Sequence, residues 1–331
     1  MIGKHTVKIG NSKLKYEFTI NRNITILKGD SATGKTTLVE MIREYYENNT
    51  LSGITLESDV PCRTLEGRDW SVLLPTIQNS IVFIDEENDF LRTLEFAEAI
   101  RGSSNYYVIV TREGLPYLPY SVDEIYGIRE SGKYAGLKHV YNEFYKIYHP
   151  EKINELPSID SVIVEDTNSG YEFFSSLTVD GYPEVISSEG KSGVFAKIME
   201  NTGKKCLIVA DGAAFGSEID RVMKQITDND DIILFLPESF EWLLLKSGLI
   251  DGNRVQDILQ SPELYIRSED YFSWERYFTA LLIEETKDTY MQYSKRKLNP
   301  VYLHALEKKS ILKAMEKAGE LFDQNQSKTA L

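Results

Sequence analysis

Apolar and polar residues alternate along 6–20 (TVKIGNSKLKYEFTI), and a Gly-Asn-Ser break interrupts them. Period-two alternation around turn formers predicts a β-hairpin. Residues 23–28 (NITILK) form a short apolar strand that runs into a glycine-containing loop. Helical spacing then takes over at 35–47, with Leu38, Ile42 and Tyr45 on or near one face. Residues 80–85 (SIVFID) are almost continuously apolar, as expected of a strand buried in a parallel sheet. A helix at about 90–101 and a strand at 106–111 (YYVIVT) follow. Residues 124–144 read as a second hairpin around Ser131-Gly132-Lys133.

The stretch 150–157 (PEKINELP) punctuates the chain and marks the expected domain boundary. Beyond it strands are expected at 161–165, 183–187, 205–210 and 231–236. Helices at 169–177, 191–201 and 216–226 alternate with them. Such alternation implies parallel βαβ units. From about 238 the pattern is mostly helical, and the tail QNQSKTAL is expected to fray. The expected organisation is an α/β domain over 1–150, a second α/β domain over 151–250, and a helical extension over 251–331.

One motif carries specific chemistry. Gly29-Asp30-Ser31-Ala32-Thr33-Gly34-Lys35-Thr36 fits GxxxxGK[ST] in full. Backbone N–H groups must wrap a phosphate, so the chain needs glycines where it doubles back. The loop must also open a helix, whose N-terminus attracts anions. Lys35 would bring positive charge to the β- and γ-phosphates, and the Thr36 hydroxyl would meet Mg²⁺. These eight residues and Thr37 are expected to hold ATP, with magnesium accompanying it. Asp85 closes the strand SIVFID as a candidate magnesium acid, and Glu86 beside it is a candidate base for the attacking water. The competing reading of Glu86, Glu87 and Asp89 is that they cap the next helix. Thr111 and Arg112 follow the next strand, where a polar side chain could sense the γ-phosphate. Arg112 could act there in cis or in trans across a dimer, but the preferred reading is a surface arginine with no such role.

The segment NRNITILKGDSATGKTTL, the hairpin before it and IVFIDEEND resemble the opening of ABC-type and SMC-like ATPase heads, over about residues 5–112. The resemblance implies a P-loop NTPase sheet with an N-terminal β-hairpin, and ATP hydrolysis. No LSGGQ-like signature lies between Thr36 and Asp85, and Ser52-Gly53 is a poor substitute. A reduced or AAA-like unit is the alternative. The second half resembles a Toprim domain, the metal-binding module of topoisomerases, primases and overcoming-lysogenization-defect nucleases. The residues that carry the resemblance are VIVED at 162–166, EVISSEGKSG at 184–193, LIVADGAAFGSEID at 207–220 and LFLPESFEWLLL at 234–245. It implies a Rossmannoid sheet with Glu165 and Asp211 as catalytic, metal-binding acids. Ala213 stands where the family's paired second acid belongs. Glu218, Asp220, Glu238 and Glu241 are candidate substitutes, although Glu241 reads foremost as an ordinary helix-surface acid. Ser188-Glu189-Gly190-Lys191 reads as a loop facing the same edge. Carboxylates in such a module hold one or two Mg²⁺ ions for phosphodiester cleavage.

Composition narrows these readings. The chain has 331 residues and a net charge of −14, with 20 acids and 17 bases over 1–150 and 31 acids and 20 bases over 151–331. Bulk charge therefore gives the second half no help with nucleic acid, which would have to be reached through a local metal site. No apolar run approaches the roughly 18 residues of a membrane helix. The N-terminus has no signal-like apolar region. Cys62 and Cys206 lack zinc or disulfide spacing, so reduced thiols and a cytoplasmic location are expected. His5, His139, His149 and His304 show no ligand spacing. Tyr106, Tyr107, Tyr117, Tyr120 and Tyr126 suit packing better than base stacking.

Two hypotheses follow. In the first, an ATPase licenses nucleic-acid cleavage at a Toprim-like effector, as in the bacterial anti-phage ATPase–nuclease proteins that the arrangement resembles. In the second, the chain is a nucleotide switch that assembles with itself or a protein partner through a degenerate Toprim-like domain. A small-molecule kinase would use the same phosphate motif, but the Asp85-Glu86 pair and the second domain argue against it.

Overall fold

A computed structural model describes residues 1–29, 33–131, 140–148, 158–227 and 231–328. The chain divides into two units, Met1–His149 with Ser261–Ser273, and Pro150–Gln260 with Trp274–Leu331. The helical stretch expected as an extension of its own is thus split between them. The expected boundary segment 150–157 lies outside the described residues.

The first unit is built on a nine-stranded mixed sheet. Its strands are β1 (His5–Gly10), β2 (Leu14–Ile20), β3 (Ile24–Leu27), β4 (Thr55–Glu57), β5 (Cys62–Thr64), β6 (Ile81–Ile84), β7 (Tyr106–Val110), β8 (Ile125–Glu130) and β9 (Val140–Lys146). They lie in the order β4-β1-β2-β9-β8-β3-β7-β6-β5. The hairpin β1–β2 pairs His5 with Ile20 and Gly10 with Lys15. The second hairpin pairs Tyr126 with Lys146, but Gly132 and Lys133 of its expected turn lie outside the described residues. Its helices are α1 (Lys35–Asn48), α2 (Trp70–Leu73) and α3 (Leu94–Ile100). The short strands β4 and β5 were not expected. They occupy opposite ends of the sheet order yet are joined by residues 58–61, so the sheet must curl.

Every residue of β3, β6 and β7 is buried, which is why these segments read as unbroken apolar runs. Leu38, Val39, Met41 and Ile42 of α1 pack with Leu27, Phe83, Val108 and Val110 in one core. The helix expected from residue 90 starts at Leu94, where the Thr93 hydroxyl accepts the Phe96 N–H. Asp89 stands in the first turn of a short 3-10 helix, Asp89–Arg92, ahead of α3, and Glu86 and Glu87 precede it.

The second unit centres on four parallel strands, β10 (Ser161–Val164), β11 (Glu184–Ser187), β12 (Cys206–Val209) and β13 (Ile232–Phe235), in the order β11-β10-β12-β13. The two central strands are buried throughout and the two edges only partly. Helices α4 (Ser169–Ser175), α5 (Lys191–Glu200), α6 (Ile219–Thr227), α7 (Phe240–Lys246) and α8 (Asn253–Gln260) follow in chain order. After residue 273 come α9 (Trp274–Thr286), α10 (Ala305–Ala314) and α11 (Lys317–Lys328), the last entering the tail expected to fray, whose final residues 329–331 lie outside the described ones. Helix α9 packs on α7, and Phe173, Phe174, Phe240 and Phe322 form an aromatic cluster. Among the described residues no helix is long and apolar enough to cross a membrane.

The turn into α5 is tight. A methyl group at Gly193 would run into the Ser188 carbonyl oxygen. Gly193→Ala is expected to destabilise the second unit by about 1–3 kcal/mol, seen as a lower urea midpoint. An unchanged midpoint would mean that the turn yields freely.

Candidate functional site

Parallel register determines what meets at the carboxyl edge of the large sheet. Leu27 of β3 pairs with Val110 of β7, and Ile109 pairs with Ile84 of β6. The Thr111 N–H continues the ladder to the Leu27 carbonyl at 3.1 Å. The residues just beyond these ends therefore share one edge: Lys28 and Gly29 after β3, Asp85 and Glu86 after β6, Thr111 and Arg112 after β7. The strand β7 stands between the glycine-rich loop and the acids.

Asp30, Ser31 and Ala32 lie outside the described residues. Gly34 takes a left-handed backbone, φ 87°, as the cap of α1. A side chain there would also press on Tyr16, whose hydroxyl would stand 2.7 Å from a Cβ. That hydroxyl donates to the Gly34 carbonyl at 3.0 Å and fixes the loop's last turn. The first turn of α1 contains no acid, so nothing there opposes an anion at its positive end. The Lys35 amine is tucked into the loop, donating to the Gly29 carbonyl and the Thr33 hydroxyl, each at 2.8 Å. It thus ties both sides of the loop together. Thr36 is exposed and Thr37 half-buried. A threonine hydroxyl and the half-buried Asp85 carboxylate are hard oxygen donors suited to Mg²⁺.

Asp85 accepts the Glu86 N–H at 2.8 Å. Arg112 is exposed, as expected of a surface arginine, and it is paired. Its Nε and one terminal nitrogen reach the two oxygens of Glu86 at 3.0 and 2.8 Å, a two-point grip. The grip depends on which strand lies next to β7, and chain order alone does not reveal that neighbour. Thr111 is buried, and its hydroxyl donates to the Glu113 carbonyl. A cleft of about 590 Å³ lies at the other end of α1, lined by Tyr45, Tyr46, Asp59, Cys62 and Arg63, and shares no residue with the glycine-rich loop.

The second unit gathers charge at the equivalent edge. Glu165 follows β10 and accepts the Asp211 N–H at 2.9 Å. The loop 188–191 joins it, with the Gly190 N–H on the Glu165 carbonyl at 2.9 Å. Glu241 was read as a helix-surface acid, but it is buried at 2% exposure. Its position in the first turn of α7 turns it inward, against residues that no motif had marked. The Tyr293 hydroxyl donates to its Oε1 at 2.8 Å, and Ser169 bonds that hydroxyl at 2.6 Å. Lys295 donates to Glu275 at 2.8 Å and stands 3.9 Å from Glu241. Asp166 is spent on capping α4, taking N–H groups from Thr167, Asn168 and Gly170. Glu218 is buried against Ser217, and Ala213 is buried. Asp220 and Glu238 are half-buried.

The balance of charge shows in the acidities. Burial pushes the Asp211 carboxyl well above the usual range, and the charges of Glu275, Glu165 and Glu241 add to this against Lys295. Burial also raises Glu165, although the N–H bond from Asp211 opposes it. Burial lowers Lys191, against the pull of Glu165, Glu218 and Glu275. For Lys295 burial is outweighed by Glu241 and Glu275 together, which hold it charged. Among the described residues no three Asp, Glu, His or Cys side chains are arranged to hold one metal ion. Glu165 and Asp211 thus stand without a third such side chain placed to share a metal ion among the described residues.

Of the tyrosines, Tyr117 is exposed and Tyr126 half-buried. Tyr106, Tyr107 and Tyr120 are buried in the first unit and cannot stack on bases. His5 shares a hydrogen bond with Asp59 at 2.8 Å. His139 and His149 lie outside the described residues. Both cysteines are free and buried, and burial pushes the Cys62 thiol up to about 11. No protein-family model and no curated protein matches the chain.

A carboxyl with a raised folded-state pKa costs stability once the unfolded chain can ionise it. Stability then falls as pH rises from the ordinary carboxylate range toward the raised value. Asp211→Asn removes that cost. In EDTA it is expected to raise the melting temperature by about 2–4 °C at pH 8, and by less at pH 4.5. A loss at pH 8 would mean that the charge on Asp211 is stabilising.

Proposed function

We propose that this chain is an ATP-binding and ATP-hydrolysing switch, in which a P-loop unit governs a Toprim-like second unit. One observation carries the reading. A GxxxxGKT loop opens α1 on the same sheet edge as Asp85 and Glu86, with the Lys35 amine held within the loop. In this reading the N–H groups of the loop and of the first turn of α1 surround the phosphates. Lys35 exchanges its bonds to Gly29 and Thr33 for oxygens of the β- and γ-phosphates. Thr36 and Asp85 would hold the magnesium, which when bound neutralises charge on the phosphates. Glu86 takes a proton from water as the water oxygen bonds to the γ-phosphorus. The bond from that phosphorus to the bridging oxygen breaks, and the leaving nucleoside diphosphate keeps its electron pair.

For the second unit, Lys295 supports the switch reading over the nuclease reading. Its amine already supplies positive charge to Glu241 and Glu275, and Ala213 offers no second carboxylate. The output is then a change in self-association or in binding to a protein partner. The nuclease reading keeps one support of its own. Among the described residues five acids, Glu165, Asp211, Glu218, Glu241 and Glu275, interact with two lysines, Lys191 and Lys295, in this network. A divalent cation would meet that surplus if the acids moved.

Phosphate release from ATP and GTP tests the first unit. The wild type is expected to turn over with Mg²⁺, and Lys35→Ala to lose at least about 100-fold, because it removes charge from the transition state. Equal rates would end the P-loop reading. Incubation with DNA and RNA in Mg²⁺ or Mn²⁺ at low salt tests the second unit. No nicking is expected, while mass photometry shows assembly that differs with and without ATP. Nicking that disappears in Asp211→Ala would replace the switch with a nuclease.

A further inference from the structure

The grip of Arg112 on Glu86 has a consequence for how hydrolysis is triggered. Both carboxylate oxygens of Glu86 are taken, one by Nε at 3.0 Å and one by a terminal nitrogen at 2.8 Å. The side of Glu86 that meets Arg112 is thereby closed to a water molecule. The pair is nevertheless cheap to open. The Arg112 side chain is 59% exposed and that of Glu86 26%, and exposed ion pairs contribute little net stability.

The sheet places the competitor close by. Arg112 follows β7, whose neighbours are β3, which leads into the glycine-rich loop, and β6, which ends at Asp85 and Glu86. The guanidinium therefore stands at the end of the strand between a phosphate loop and a carboxylate. A guanidinium binds two oxygens of a phosphate as readily as two of a carboxylate, and the terminal phosphate of a triphosphate carries more charge than Glu86.

We propose that Arg112 is a clasp on Glu86, held in the nucleotide-free chain and opened by the terminal phosphate of a bound nucleoside triphosphate. The inference rests on the P-loop reading of the first unit. A triphosphate draws Arg112 away and leaves Glu86 able to take a proton from water. A diphosphate has no terminal group in that place, so the clasp stays shut. Arg112 is thus a positioning residue for Glu86 and a source of triphosphate-over-diphosphate preference. No strand other than β7 separates β3 from β6, so the same arginine serves both ends of the exchange.

The test is a double-mutant cycle on equilibrium affinity, measured with full-length protein, Mg²⁺, a non-hydrolysable ATP analogue and ADP. Glu86→Gln removes the charge that competes for Arg112. It is expected to tighten the analogue about two- to fivefold in the wild-type background and to leave it unchanged in an Arg112→Ala background. Arg112→Ala alone is expected to lower the ratio of analogue to ADP affinity by about tenfold, with ADP binding itself little altered. Arg112→Lys keeps one point charge and loses the two-point grip, so it should recover part of that ratio. In turnover, Arg112→Ala should raise KM for ATP more than it lowers kcat. A Glu86→Gln gain of equal size in both backgrounds would overturn the clasp, as would an unchanged analogue-to-ADP ratio in Arg112→Ala. Lys35→Ala separates the two layers. If the wild type binds nucleotide and Lys35→Ala does not, the site is where it was placed, and failure of the cycle counts against the clasp alone. If Lys35→Ala binds like the wild type, the site reading falls and the clasp falls with it.

Discussion

The register of three parallel strands underlies the account of the first unit. Because Leu27 is level with Val110, and Ile109 with Ile84, the chain leaves β3, β7 and β6 at one edge. A slip of one residue would turn every side chain of the slipped strand to the opposite face. All three strands are buried, so such a slip would alter packing on both faces at once. The fixed register brings a glycine loop, an Asp-Glu pair and an arginine together with no need for a flexible segment to aim them. The loop is tied in turn by Lys35 across its base and by Tyr16 at Gly34.

The second unit obeys the same geometry with a different outcome. Its parallel strands also deliver acids to one edge, through Glu165 and Asp211. The cations there come from the protein itself. Lys191 arrives with the turn into α5, and Lys295 arrives from the segment after α9. Burial, and after it the like charges gathered there, make Asp211 and Glu165 weaker acids than ordinary carboxyls. An edge of this kind is strained electrostatically, which makes it responsive to protons, cations or a partner's charge. That responsiveness suits a unit that changes state on a signal.

Much of this was legible in the chain as written. Unbroken apolar runs located β3, β6, β7 and the central strands of the second sheet, because burial on both faces removes the polar alternation. The glycine motif pointed to a phosphate site by its spacing, and the proposal of nucleotide binding rests on it. Strands β4 and β5 were not legible. Each has three residues, too few to display a period, and each exists because the curling sheet offers it a neighbour. The roles of Arg112, Glu241, Glu275, Tyr293 and Lys295 were hidden for a related reason. Glu275 and Lys295 lie more than 60 residues from Asp211, with no motif linking them, and only the packing of α9 on α7 reveals that they share an environment. Position in a helix did not reveal that Glu241 is buried, because its partners Tyr293 and Ser169 are distant in sequence.

The central claim is that a nucleoside triphosphate binds where the three strand ends meet. Hydrogen–deuterium exchange with and without Mg²⁺ and a non-hydrolysable ATP analogue tests it directly, because it reports where the ligand sits. Protection is expected at 29–37 and at the ends of β6 and β7, around 85–86 and 111–112. Exchange that is unchanged in those segments at saturating nucleotide, or protection confined to the cleft at the far end of α1, would contradict it.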